Sequence, residues 1–162
     1  MVDYYLLNEI MLNSDSIWKS IYMHKTKDGK LSFGPVWDFD WSMSTEWVLP
    51  YKQSEIDNAK LLHIGKKSTI FSKFLKVEKF YDLVTARFDV LKQSMILVSD
   101  DLREYKKTIE NVALLDALMW YGNSGEFEFG SQFDYVRLFL LDRYVYLDKI
   151  FNKTHSDFKA LL

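Results

Sequence analysis

The segment from Val2 to Leu12 places apolar side chains around the whole circumference of a predicted helix. One face carries Val2, Tyr5, Leu6 and Ile10, and another carries Tyr4, Leu7 and Met11. A helix that is apolar on all sides is buried, so Asn8 and Glu9 are expected inside or at the rim of a core. A buried carboxylate requires a partner. Two interpretations of this polar pair stay open: hydrogen bonds to the loop at 13–15, or direct contact with a ligand.

From Ser68 onward the pattern becomes helical. Side chains at three- and four-residue spacing form apolar stripes, which predict a helical core. The predicted boundaries are a cap at Ser68 or Thr69, a second helix from about Phe80 to Met95, a third opened by Asp100 and Asp101 and ended by Gly122, and a last helix capped by Ser131. Arg87, Arg137 and Arg143 lie in or beside these faces, where most arginines pair with a buried carboxylate or cap a loop carbonyl.

Two β-rich runs between 17 and 36 flank the dipeptide Asp28-Gly29, and this pattern predicts a β-hairpin. With these two residues at the centre of the turn, Lys19 lies opposite Asp38. A looser turn shifts this register by a residue or two. In either register the two arms of the hairpin bring the acids at their open end together.

The return arm continues as GPVWDFDW, from Gly34 to Trp41. If this segment is extended, Phe33, Trp37, Phe39 and Trp41 share one face, and Asp38 and Asp40 share the other. Two carboxylates at this spacing lie roughly 7 Å apart, and each raises the pKa of the other unless a cation lies between them. Asp15 is expected at the same open end of the hairpin. We therefore expect three acids to converge on a divalent cation, with Lys19 as a counter-charge.

The segment from Ser42 to Lys67 is predicted to be a loop. It is longer than most connections in compact domains, which is typical either of a lid or substrate platform or of a simple insertion. Within it, IGKKST imitates the end of a phosphate-binding P-loop, but Lys60 stands where the earlier glycine is required. A P-loop is therefore rejected. GNSGEFEFG, at 122–130, is predicted to be a second loop.

Composition limits the function classes. The 162 residues are 48% hydrophobic and 17% aromatic, which suffices for one compact domain. A net charge of −2 from 21 basic and 23 acidic residues argues against a broad nucleic-acid-binding face. There is no cysteine, the three histidines lack metal-ligand spacing, and no apolar run is long enough to span a membrane.

The run YYLLNEIMLNSDSIWKSIYMHKTKDGKLSFGPVWDFDWS resembles the C-terminal half of the CotH kinase family, atypical kinase-like proteins first known as bacterial spore coat protein H. The shared pattern is Asn-Glu on a helix, Asn-x-Asp at its end, a hairpin, and Gly-Pro-x-Trp-Asp-Phe-Asp on the return. Weaker similarity continues to Leu147. The resemblance implies an α+β, predominantly helical fold like a kinase C-lobe, with one hairpin that carries the metal-site aspartates.

The same resemblance implies a reaction: transfer of the γ-phosphoryl group of ATP to hydroxyls of a coat or cell-surface protein, with Mg²⁺ or Mn²⁺. Asp38 would ligate the metal, and Asp40 would take a second metal or orient the first. Asp15 would orient or deprotonate the acceptor hydroxyl. Lys19 and Ser20 would lie in the nucleotide site. Family members are commonly bacterial and associated with the spore coat or the cell envelope.

Two departures from the family pattern affect this expectation. Many relatives carry an asparagine after the catalytic-loop aspartate, but here that position falls within Trp18, Lys19 and Ser20, so a second-metal ligand is in doubt. The N-terminal lobe, with its nucleotide-covering loop and phosphate-pairing lysine, is missing. The chain is therefore expected to be a fragment or truncated domain that is inactive alone and has the missing lobe as a partner.

We expect one domain over 1–162. Its predicted parts are a buried helix (1–14), the catalytic loop, hairpin and metal motif (15–45), a loop (46–67), a helical bundle (68–151) and a tail (152–162). Two other functions stay open. One is a non-catalytic structural or interaction domain of the pseudokinase type. The other is a glycosidase that uses Asp15 with Asp38 or Asp40 amid Trp18, Trp37, Trp41 and Trp47.

Overall fold

A computed structural model describes residues 1–43, 59–122 and 129–162. The helices are α1 (Val2–Met11), α2 (Ile64–Lys67), α3 (Thr69–Leu75), α4 (Glu78–Tyr121), α5 (Phe129–Phe151) and α6 (His155–Lys159), and a 3₁₀ turn covers Ser14–Ile17. Strands β1 (Met23–His24) and β2 (Ser32–Phe33) form a two-stranded antiparallel sheet. The fold is therefore mostly helical with one small sheet. Most of the predicted loop before Lys67, including Trp47, and the centre of GNSGEFEFG lie outside the described residues.

Helix α1 is buried as its pattern predicts. Tyr5 and Leu6 are fully buried and Asn8 and Glu9 are inaccessible as well, whereas Leu7 is exposed. The helix ends at Leu12, whose left-handed backbone (φ 52°) lets its N–H bond the carbonyl of Glu9 at 3.2 Å. The chain therefore turns sharply after α1, directly before the Asn13–Asp15 loop.

The long helix α4 replaces two predicted helices. It runs for 44 residues without a break, because its sequence contains no glycine or proline and Asp100 and Asp101 continue the helix instead of starting a new one. Gly122 ends it, as predicted, with φ 68°. Ser68 caps α3 as predicted, since its Oγ accepts from the Phe71 N–H at 3.3 Å. Helix α5 begins at Phe129, two residues before the predicted cap at Ser131.

Helices α4 and α5 pack antiparallel and contribute about half of the buried apolar side chains of the described residues. Phe88 packs on Phe151 with ring centroids 5.0 Å apart and the rings tilted by 56°, and Lys92 pairs with Asp148 at 3.0 Å. The predicted tail contains α6, whose Phe158 is fully buried against Tyr81. Burial raises the pKa of Tyr81 to about 12. The tail is therefore part of the packed domain. In the described ranges, no helix has the length and apolarity to cross a bilayer.

The hairpin forms, but it is shorter than predicted. Met23 pairs with Phe33 and His24 with Ser32, which is one residue away from the register of a tight Asp28-Gly29 turn. The prediction of an extended strand from Gly34 to Trp41 was wrong. The structure has no strand there, because Gly34 (φ 129°) and Asp38 (φ 64°) both leave the extended region.

A buried ion pair joins four parts of this fold. The side chains of Glu9 and Arg143 are completely inaccessible, with Arg143 Nη2 at 3.1 Å from Glu9 Oε1. Arg143 also donates to the carbonyls of Glu9 and Ile10 at the end of α1, and to those of Ala59 at 2.7 Å and Leu61 at 2.6 Å. The predicted pairing of Arg143 with a buried carboxylate and loop carbonyls is thus confirmed. Its charge also complements the negative end of the α1 dipole.

The Glu9 carboxylate has hydrogen-bond partners besides Arg143. Its carboxylate accepts from the backbone N–H of His63 at 2.9 Å and of Gly65 at 2.7 Å, at the start of α2. A Cβ at Gly65 would lie 2.9 Å from the Tyr5 hydroxyl oxygen, so this close approach requires glycine. Glu9 therefore has a structural role here, but its partners are Arg143 and the start of α2, not the loop at 13–15 that the sequence suggested.

We predict that Arg143→Met lowers the free energy of unfolding by about 3–5 kcal/mol, because it leaves the Glu9 carboxylate buried without its cation. Arg137→Met is the matched control on the same helix, and we expect it to cost less than about 1 kcal/mol because Arg137 is only half-buried. Urea denaturation measures both. Equal effects of the two substitutions would contradict the central role of the pair.

Candidate functional site

The loop after α1 is fixed by buried asparagines. Asn8 donates to the carbonyl of Tyr4 at 2.8 Å and accepts from Asn13 Nδ2 at 3.1 Å. Ser16 donates to the Asn13 carbonyl at 2.7 Å. Both asparagines are almost wholly inaccessible, so they hold the start of the 3₁₀ turn in one conformation. The predicted hydrogen bonding between the α1 polar pair and this loop is confirmed for Asn8.

Asp15 lies in this 3₁₀ turn and is half-buried. Its carbonyl accepts from the N–H groups of Trp18 at 3.1 Å and Lys19 at 2.9 Å. The preceding residue, Ser14, is 3.3 Å from Nε2 of His63. That contact joins residues 49 positions apart, and no local pattern in the sequence indicates it.

Asp38 stands out in the run from Gly34 to Trp41 because it is the one non-glycine residue there with a positive φ. Its φ of 64° is left-handed, a conformation that costs a residue with a Cβ roughly 1–2 kcal/mol. The buried Ser20 donates from Oγ to Asp38 Oδ2 at 2.6 Å, and this bond fixes the orientation of the carboxylate. Strained residues of this kind cluster at ligand sites. The exposed Asp38 carboxylate is therefore the best candidate for a functional group in this region.

Lys19 does not lie where the tight hairpin register predicts. The residue in contact with Asp38 is Ser20, one position later in the chain. Lys19 instead holds its Nζ above the ring of Trp41, 5.1 Å from the centroid. The register of the hairpin does not explain this, because its observed pairing, extended to Asp38, would put Trp18 opposite that residue. The Ser20 contact follows instead from the irregular backbone between Gly34 and Asp38.

The described residues contain no group of three or more His, Asp or Glu side chains that could hold a metal ion. The predicted convergence of Asp15, Asp38 and Asp40 into one cluster is thus not found. Mg²⁺, however, commonly takes only one or two protein carboxylates and fills its octahedron with water and phosphate oxygens. Carboxylate and hydroxyl oxygens such as those of Asp38 and Ser20 are donors that this ion accepts. The roles of Asp15, Lys19, Ser20, Asp38 and Asp40 all remain predictions.

The aromatic residues of the motif divide between two environments instead of sharing one face. Phe33 packs on Tyr4 and Phe71, with centroid distances of 5.4 and 5.5 Å. Trp37 is about half exposed and contacts Tyr22 edge to face at 5.3 Å. Trp18 is 74% exposed. The site therefore has an open aromatic surface, whereas Phe33 joins the hairpin to the core.

Comparison with known proteins places these residues in a family. A family model described as CotH kinase protein matches residues 1–147, which include α1, the hairpin, Asp38 and Arg143. This match confirms the resemblance found in the sequence. No curated protein and no solved structure is significantly similar to the chain.

We predict that Asp38→Gly is more stable than Asp38→Ala by about 1–2 kcal/mol, because both variants lack the carboxylate and only glycine adopts a positive φ without strain. Thermal denaturation of the two variants gives the difference. Asp40 provides the control, since its φ is not among the positive values of the described residues. There, the glycine variant should be no more stable than the alanine variant. A reversed order at position 38 would show that the backbone is not strained.

Proposed function

Because the chain belongs to the CotH kinase protein family, we propose that it forms the metal- and phosphate-binding part of an ATP-dependent kinase that phosphorylates protein hydroxyls. The family match extends over residues 1–147 of 162. The observation that carries the proposal is the Asp38 carboxylate, exposed on a strained left-handed backbone and held by the Ser20 hydroxyl. Aspartate is one of the few residues besides glycine that adopt this conformation, and backbone outliers of this kind are enriched at ligand sites.

Asp38 is the metal ligand in this proposal. Its carboxylate would hold a divalent cation, which would supply positive charge to offset the negative charge that develops during phosphoryl transfer. Ser20 aligns the carboxylate through its 2.6 Å hydrogen bond, and outer partners of this type tune metal affinity. Asp40, exposed two residues later, assists as a second carboxylate. Lys19 supplies a positive charge for phosphate at the same end of the hairpin.

Asp15 is the residue that orients or deprotonates the acceptor hydroxyl. A base in this role requires a fixed position relative to the metal site. The buried Asn8 and Asn13 and the Ser14–His63 contact hold the turn on both sides of it. These contacts support a positioned carboxylate in a loop that is otherwise at the surface.

The acceptor is proposed to be a serine, threonine or tyrosine hydroxyl of a coat or cell-surface protein. This part rests on the family resemblance. The open aromatic surface of Trp18, Tyr22 and Trp37 suits a protein segment better than a free metabolite, because exposed aromatic side chains are enriched where proteins contact one another.

Asp38→Asn should reduce metal-dependent nucleotide binding at least tenfold, since it removes the anionic ligand and keeps the shape of the side chain. Calorimetric titration with ATP in the presence of Mn²⁺ or Mg²⁺, and with each metal alone, measures the loss. Asp82→Asn is the matched control, an exposed aspartate on α4, and it should bind like the parent chain. Equal affinity in the Asp38 and Asp82 variants would refute the assignment.

A further inference from the structure

Helix α4 exposes a long apolar stripe to solvent. Its members are spaced three, four, seven or eight residues apart, so they lie along one side of the helix. The apolar residues of the stripe are Leu83, Val90, Val98, Tyr105, Ile109, Val112 and Met119, with exposures from 42% at Ile109 to 78% at Met119. We call this surface the α4 stripe. No described element covers it.

The adjacent side of α4 makes the contacts with the rest of the domain. Phe88 and Met95 are buried in the core, and Lys106 pairs with Asp134 of α5 at 3.6 Å. An outer helix of a monomeric domain normally turns charged residues to the solvent. Here both sides of the helix are apolar, which is typical of a helix with a second packing partner.

The α4 stripe is large enough for a specific interface. From Leu83 to Trp120 the helix is about 55 Å long, and a contact strip about 10 Å wide gives roughly 550 Å² on each partner. The total of about 1,100 Å² reaches the lower bound of roughly 1,000 Å² for a biological protein interface. A single isolated apolar residue would be too small to form such an interface.

We propose that the α4 stripe binds the same stripe of a second copy of this chain, with the two helices antiparallel. A homodimer about a two-fold axis requires a surface that is complementary to itself. With the axis between positions 101 and 102, Val98 faces Tyr105 of the second copy. Arg87 and Asp116 are equally distant from the axis. Arg87 of each copy therefore faces Asp116 of the other copy, which gives two pairs of opposite charge.

In the free chain, Arg87 is available to pair with Asp116 of a second copy. Arg87 contacts Asp3 at 2.5 Å, but both side chains are exposed, and exposed pairs of this kind contribute little. Arg87 can therefore turn to Asp116 of the second copy. Asp101 is the one unfavourable residue, since it meets its own copy near the axis. Asp101→Asn should accordingly strengthen the dimer.

Disulfide trapping tests the orientation, because the chain has no cysteine of its own. Asp101→Cys should cross-link two copies under mild oxidation. Val112→Cys should not, since its two copies lie about 30 Å apart in the antiparallel pair. Cross-linking of both variants would mean a parallel pair, and cross-linking of neither would mean no pairing through this stripe. Either result would overturn the proposal.

Sedimentation equilibrium of the 162-residue chain tests the association itself. We expect a dimer at micromolar concentration, monomer for Val98→Glu, and an unchanged dimer for Val145→Glu, an exposed apolar position on α5. Arg87→Asp should weaken dimerisation at least fivefold, and the double variant Arg87→Asp/Asp116→Arg should restore it. A monomeric parent chain, or no rescue by the charge exchange, would contradict the proposal.

Discussion

The buried pair of Glu9 and Arg143 is the interaction on which the rest of the structure depends. Two charges without solvent contact are costly, and burial lowers the pKa of the Arg143 guanidinium while Glu9 acts in the opposite direction. This desolvation cost is offset because almost every polar atom of the two side chains has a hydrogen-bond partner. Arg143 donates hydrogen bonds to carbonyls of α1 and of 59–61, and Glu9 accepts hydrogen bonds from N–H groups at the start of α2. Removal of either charge would leave the other unsatisfied, so the two residues act as one unit.

This unit explains how a site near the surface can be precise. The chain leaves α1 at Leu12 and enters the Asp15 turn within three residues, so the position of α1 largely sets the position of Asp15. Asn8 and Asn13 extend the buried network into the turn. On the other arm, the Ser20 hydrogen bond holds the strained Asp38. The stable part of the molecule thus supports a locally unfavourable one, which is a common relation between fold and function.

Local signals in the sequence predicted the parts of the fold that depend on local physics. The burial of α1 followed from its all-round apolar pattern, the Ser68 cap and the Gly122 stop from backbone chemistry, and the pairing of Arg143 from its position on an apolar face. The hairpin was predicted from Asp28-Gly29, although its register was one residue off. The family was recognised from the motif residues around Asp38.

Other features depend on contacts that no local pattern encodes. The unbroken α4 was missed because Asp100 and Asp101 resemble a helix start, although the absence of glycine and proline from 78–121 lets the helix continue through them. The predicted strand through Asp38 was wrong because alternation in the sequence does not show a left-handed residue in its middle. The Ser14–His63 contact joins distant segments. The predicted convergence of Asp15, Asp38 and Asp40 assumed an extended strand after Gly34. The structure has no strand there, so the assumption does not hold.

Paramagnetic broadening by Mn²⁺ is the measurement that tests the central claim most directly, namely that Asp38 belongs to a metal-dependent phosphate site. Substoichiometric Mn²⁺ is added to the ¹⁵N-labelled chain with ATP, and the loss of amide signal intensity is mapped by NMR. The account predicts selective loss at Ser20, Asp38 and Asp40, and unchanged signals in α6. Loss spread over surface carboxylates such as Asp100 and Glu104, or no selective loss at Asp38, would contradict it.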